Sequence, residues 1–286
     1  MKIWVHILAL GAILAVSSPA ETLTFVATGP AALGLSPLNE NPPHPSSSGT
    51  GTALVTWDTV TNMMTVNAVF SGLTSADTAS HIHCCISAPG TTGVATTTPT
   101  FTGFPTGVTS GTYAHTFDML ATGSYNPAFV SAHGGTAASA AAALLAGMKA
   151  GQSYLNIHTS QFPGGEIRGF LVKPVDISIK PDSAPPVPIN PRSHGTIPVA
   201  IISTGTFNAA ATVDTSSLTF GRTGDEQSLA FCNAEDVNSD DLIDLVCHFE
   251  TQSTGFAPGD TLGILKGKTS EGTPIIGQEA IVTVPR

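Results

Sequence analysis

The chain has 286 residues and carries 20 acidic against 10 basic side chains, a formal net charge of −10. Charged residues make up only 10%, against about 25% in an ordinary soluble protein, which excludes a charge-laced coiled coil and a charged disordered tail. The acidic balance excludes a surface that docks on phosphate backbones or anionic lipid and points to cations as partners.

At about 100 to 200 residues per domain the length implies two domains. The 29 glycines and 21 prolines, spread through a chain rich in Thr, Ser and Val, are the composition of short strands joined by many turns. In chain order, Lys2, the apolar run Ile7 to Val16 and the small residues Ser17-Ser18-Pro19-Ala20 read as a signal peptide over residues 1–20. The run is shorter than the roughly 20 residues a bilayer span needs, so a secreted or periplasmic protein is expected, with no membrane span.

From Glu21 onward apolar and polar residues alternate, in Leu23 to Val26, Thr52 to Trp57 and Met64 to Phe70. Such alternation predicts half-buried strands, and the turn clusters between them suit an antiparallel β-sandwich or Greek-key arrangement. One helix is predicted at about residues 136–150, with Thr136 or Ser139 capping its start and Gly151 closing it. A β-hairpin follows, from Ser153 to Thr159, through Pro163-Gly164-Gly165, to Glu166 to Val172. Lys173-Pro174 then opens a second, smaller β-sandwich-like unit over residues 173–286, with strands at Val175 to Ile179, Thr196 to Ile202 and Ile281 to Val284. Five prolines in Pro181 to Pro191 confine that stretch to a loop or a sheet edge.

Asn39-Glu40-Asn41-Pro42-Pro43, Gly49-Thr50-Gly51-Thr52, His81-Ile82-His83, the Ala-rich helix, Asn156-Ile157-His158-Thr159 and Gly164-Gly165-Glu166-Ile167-Arg168-Gly169 together resemble the chordin (CHRD) domain. The resemblance covers about Glu21 to Val172 and implies an all-β extracellular module with no well-defined activity of its own. Residues Val175 to Pro181, Ile197 to Ile201 and Glu235 to Asn238 are similar to a C-terminal module carried by other secreted proteins, for which no activity follows.

Two constellations could carry chemistry. Asp236, Asn238, Asp240 and Asp244 stand at positions 1, 3, 5 and 9 of a calcium-type loop, with Asp241 where glycine is usual and Cys247 in place of the closing Glu. Cys232 and Cys247 bracket this loop, and a disulfide between them is expected in an exported protein. On a strand, His81 and His83 share a face; if the strand of His158 lies beside them, the three imidazoles could hold copper or zinc. Cys84 and Cys85 remain as a separate pair. Glu166 and Arg168 are expected on a solvated face, and His115 and His133 in loop-like, solvated sequence.

No phosphate loop, nucleophile elbow or Ser/His/Asp set is present in the sequence. The expected function is therefore a non-enzymatic, exported binding or structural protein, with calcium and a transition metal as its ions. Its partner would be an extracellular protein or a surface polymer, and not nucleic acid. The alternative is a copper oxidoreductase similar to copper-zinc superoxide dismutase, or a periplasmic copper carrier, on the strength of His-x-His on a β-strand.

Overall fold

The structure is a computed structural model that describes residues 21–284, so the predicted signal peptide lies outside the described residues. The first half contains strands β1 (Thr22–Thr28), β2 (Thr50–Asp58), β3 (Met63–Ser71), β4 (Asp77–Cys84) and β5 (Gly111–Asp118). Helices α1 (Pro127–Ala132) and α2 (Ala137–Lys149) follow, then β6 (Ser153–Thr159) and β7 (Ile167–Pro174). The alternation read from the sequence is what packs: Ala53, Val55 and Trp57 of β2 and Met64, Val66, Ala68 and Phe70 of β3 point inward. The turn between these strands closes because the Asp58 carboxylate accepts the Val60 and Thr61 amides while Asn62 takes a left-handed conformation (φ 54°).

The strands of this half run β5-β3-β2-β1-β7-β6-β4, antiparallel throughout. Ile82 of β4, Leu155 and Ile157 of β6 and Ile167 of β7 join the residues of β2 and β3 in one hydrophobic cluster, so the two ends of the ribbon pack face to face as a sandwich. The predicted helix is α2: the Thr136 side chain accepts the Ser139 amide, and Gly151 is left-handed (φ 64°). It buries Ala140, Ala141, Leu144 and Met148. The short α1, started by Asn126 and Pro127, was not anticipated, because six residues carry too little periodicity to register.

The second half comprises β8 (Ile177–Ile179), β9 (Val187–Ile189), β10 (Thr196–Ile201), α3 (Ala209–Thr212), β11 (Val213–Gly221), β12 (Leu229–Glu235), β13 (Asp244–Glu250), β14 (Leu262–Thr269) and β15 (Pro274–Thr283). Strands β12-β13-β10-β8 form one sheet, and β11-β14-β15 continue the other through β7. A second cluster joins Phe220, Leu265 and Ile275 to Val199, Ile201 and Phe249 across the two layers. The proline-rich stretch supplies β9, a three-residue strand laid parallel on β15, which is the edge placement that proline permits. The chain is thus an all-β sandwich with few, short helices. The halves join where β15 runs parallel to β7 at Ile275 opposite Lys173 and Ile276 opposite Pro174. No helix among the described residues is long and apolar enough to cross a membrane.

Candidate metal centre

Strand β6 is buried on both faces, and its sequence explains why. Leu155 and Ile157 enter the apolar core, while Tyr154, Asn156 and His158 point the other way, as do His81 and His83 of β4 and Arg168 and Phe170 of β7. Cross-strand register sets Asn156 opposite His81 and Tyr154 opposite His83, with His158 one diagonal step from His81. This outer face is polar but not solvated. Loops close over it, so that His81, His83 and His158 are all buried.

Those loops also set the tautomers. His81 Nε2 lies 2.6 Å from the Pro99 carbonyl, His83 Nδ1 2.9 Å from that of Thr92, and His158 Nδ1 3.0 Å from that of Pro163. A carbonyl oxygen can only accept, so each of these nitrogens carries the proton and donates it. The lone pairs therefore fall on His81 Nδ1, His83 Nε2 and His158 Nε2. All three are buried and have no hydrogen-bond partner among the described residues. The three residues offer ligand atoms within 4.8 Å of one another, and their ring centroids lie 5.3 to 6.0 Å apart. Each unpaired buried acceptor costs about 1–3 kcal/mol, a cost that a shared cation would relieve.

Burial pushes His81 and His83 down to about 4, against the raising effect of their carbonyl partners, and holds His158 below its usual range for the same reason. Neutral imidazole is the ligand form. Tyr154 stacks on His83 at 4.7 Å; its hydroxyl donates to the Thr92 carbonyl and accepts the Thr92 amide, so one residue fixes both rings.

Arg168 builds the wall beside them. Its guanidinium donates to the carbonyls of Asn39, Pro89 and Gly90, lies over the Tyr154 ring at 4.8 Å and sits 3.6 Å from Glu40. Burial pushes Glu40 up to about 8, with Arg168 pulling against it.

The expectation of a solvated face for Glu166 and Arg168 is therefore corrected: both are buried. Burial tends to raise the Glu166 carboxyl, but the Ser47 and Thr159 hydroxyls and the Thr74 amide hold it below its usual range. His115 is also misplaced by the sequence reading, since it sits on β5 with its ring edge-on to Phe117, and His133 caps α1. Sequence reasoning passed over Tyr154, Asn156, Glu40 and the structural part of Arg168. The alternation in Tyr154-Leu155-Asn156-Ile157-His158 put the first two on the histidine face; nothing local signalled that loops would cover it.

Other expected sites are placed as follows. Cys232 and Cys247 sit directly opposite each other on β12 and β13 and form a disulfide, and Cys84 is bonded to Cys85. The acidic loop joins β12 to β13, and Asp241 takes the left-handed conformation (φ 66°) that glycine usually supplies. Its carboxylates face backbone amides: Asp236 accepts from Ser239, Asp240 and Asp241, Asp240 from Leu242, and buried Asp244 from Ser203 and Val237. Asn238 accepts the Asp240 amide. Among the described residues the histidine triad is the group whose ligand atoms are gathered for a metal. A cleft of about 800 Å³ between β2, β3 and the β14-β15 region lies elsewhere and is lined by residues such as Leu54, Val69, Ile177 and Leu262.

Residues 32–171 match the CHRD domain family, a span that contains the triad, Glu40 and Arg168. No curated protein and no solved structure matches the chain.

Proposed function

We propose that this is an exported, non-enzymatic binding or structural protein in which the CHRD portion holds a transition metal through His81, His83 and His158. The observation that carries this reading is the convergence of three buried lone pairs with no protein partner, each imidazole locked in its tautomer by a loop carbonyl. Export is supported by the two disulfides, which persist in oxidising compartments, and by the extracellular setting of the matched family. The reading as two domains, 21–172 and 173–286, is supported by two separate hydrophobic clusters. The copper oxidoreductase reading draws on the same triad and ranks second, because the described residues gather no further cluster of His, Cys, Asp or Glu beside it.

The test is elemental analysis of protein purified without added metal, followed by titration with transition-metal ions and assays for superoxide and peroxide. One equivalent of metal bound without turnover is expected. Failure to take up any transition metal would remove the carrier and the redox readings together. Calcium at Asp236, Asn238, Asp240 and Asp244 is supported by ligand spacing and by the left-handed Asp241. Chelation by EGTA is expected to lower the unfolding midpoint, and Asp236→Ala to abolish that shift; an unmoved midpoint would remove calcium from the proposal.

A further inference from the structure

Resting on the triad as a metal site, we infer that the ion it selects is monovalent copper, held by three nitrogens, in preference to zinc or divalent copper. Imidazole nitrogen suits both elements, so donor type does not choose between them. Donor count and charge do. Zinc on three histidines completes its tetrahedron with water, and divalent copper favours a tetragonal set, whereas a buried trio of nitrogens closed off from bulk solvent suits the low coordination number of Cu(I).

The groups around the triad do not offer a free anionic fourth ligand. Glu166 accepts from Ser47, Thr74 and Thr159, and Glu40, whose Oε1 has no partner, faces Arg168; neither carboxylate belongs to the group of ligand atoms gathered at the triad. The Tyr154 hydroxyl is engaged twice by Thr92, and His44 Nε2 lies 3.1 Å from the Gly165 carbonyl with its ring stacked on Phe162. Asn156 Oδ1 is unpartnered and buried opposite His81, and a fourth contact from it to copper is what the absorption measurement below would read. Among the described residues no carboxylate or thiolate joins the three histidines within ligand distance.

Charge reinforces the count. Three neutral imidazoles bring no negative charge, and the Arg168 guanidinium lies over the Tyr154 ring that stacks on His83. Transfer of an ion out of water costs in proportion to the square of its charge, so a dication pays about four times the penalty of a monocation in the same pocket. With metal to nitrogen distances of about 2.0 Å, a trigonal set has nitrogens about 3.5 Å apart. The present separations of up to 4.8 Å need only a small inward movement of the rings.

The experiment is an anaerobic titration of the mature chain with Cu(I) against bicinchoninate, with parallel Zn²⁺ and Cu²⁺ titrations against chromophoric chelators. X-ray absorption at the copper edge of the loaded protein reads coordination number and ligand type. One equivalent of Cu(I) is expected, bound more tightly than Zn²⁺ by about 100-fold, or two decades of affinity, with three nitrogen neighbours. His158→Gln is expected to lose this binding, and the absorption measurement on the unaltered chain decides the matter should that variant not fold. Equal or tighter binding of Zn²⁺ or Cu²⁺, or a fourth or sulfur neighbour to copper, overturns the choice of ion and leaves the triad standing as a metal site. Uptake of none of the three ions overturns the triad reading itself.

Discussion

His81 and His83 are neutral in the fold at pH values where free histidine is protonated, and the consequence can be signed. Their pKa values are depressed from 6.5 to about 4 by burial, and His158 moves in the same direction. Between those values the unfolded chain binds more protons than the folded one, so the stability these residues contribute is complete above about 6.5 and is lost as pH falls towards 4. Glu40 works oppositely, since its raised value makes stability fall as pH rises from 4.5 towards 8. Urea midpoints of metal-free protein across pH 4 to 7 should therefore drop on the acid side. His81→Gln should flatten that drop, and an equally steep profile would contradict it. A second residue-scale prediction concerns Gly147 on α2, where an added Cβ would meet the sulfurs of Cys84 and Cys85. Gly147→Ala should destabilise by about 1–3 kcal/mol through overpacking, although alanine is the better helix former, and thermal unfolding reads the sign directly.

At the scale of elements, Arg168 ties strand β7 to two loops through backbone carbonyls, and one of those loops carries the Thr92 carbonyl that orients His83. Arg168→Met leaves those three buried carbonyls without their donor, which at about 1–3 kcal/mol for each unsatisfied group should cost at least about 3 kcal/mol in chemical denaturation. Metal affinity should fall with it by about 10- to 100-fold, the usual effect of disturbing the groups that orient a ligand. Retention of full affinity would show that the loop holds His83 without Arg168. In the second half, Cys232 and Cys247 close a segment with a sequence separation of 15. Replacing both with Ser should lower stability by about 3 kcal/mol, because the unfolded chain regains the entropy that the crosslink removed.

At the scale of the whole molecule, the two hydrophobic clusters share no residue, and the sheet passes between them through the short parallel contact of β7 with β15. So narrow a junction transmits little cooperativity, and calorimetry should resolve two unfolding transitions. The double Cys232→Ser, Cys247→Ser variant should move one of them and leave the other in place. A single transition that shifts as a unit would mean that the junction couples the halves more strongly than its two paired positions imply.

Period-two alternation marked β2 and β3 in the sequence itself, and the Ala-rich run marked α2, because in each the local pattern and the buried face coincide; the β6-β7 hairpin was marked by its turn and its apolar face, although both faces of β6 are buried. His-x-His likewise placed two imidazoles on one face from the geometry of a strand alone. Two further facts needed the tertiary structure. Pairing of β4 with β6, strands far apart in the chain, decides that His158 joins His81 and His83, since sequence periodicity carries no information about which strands become neighbours. Loop cover decides that the polar face of β4, β6 and β7 is dry. It turns Glu166 and Arg168 from surface charges into buried ones and gives each histidine the carbonyl that aims its lone pair inward.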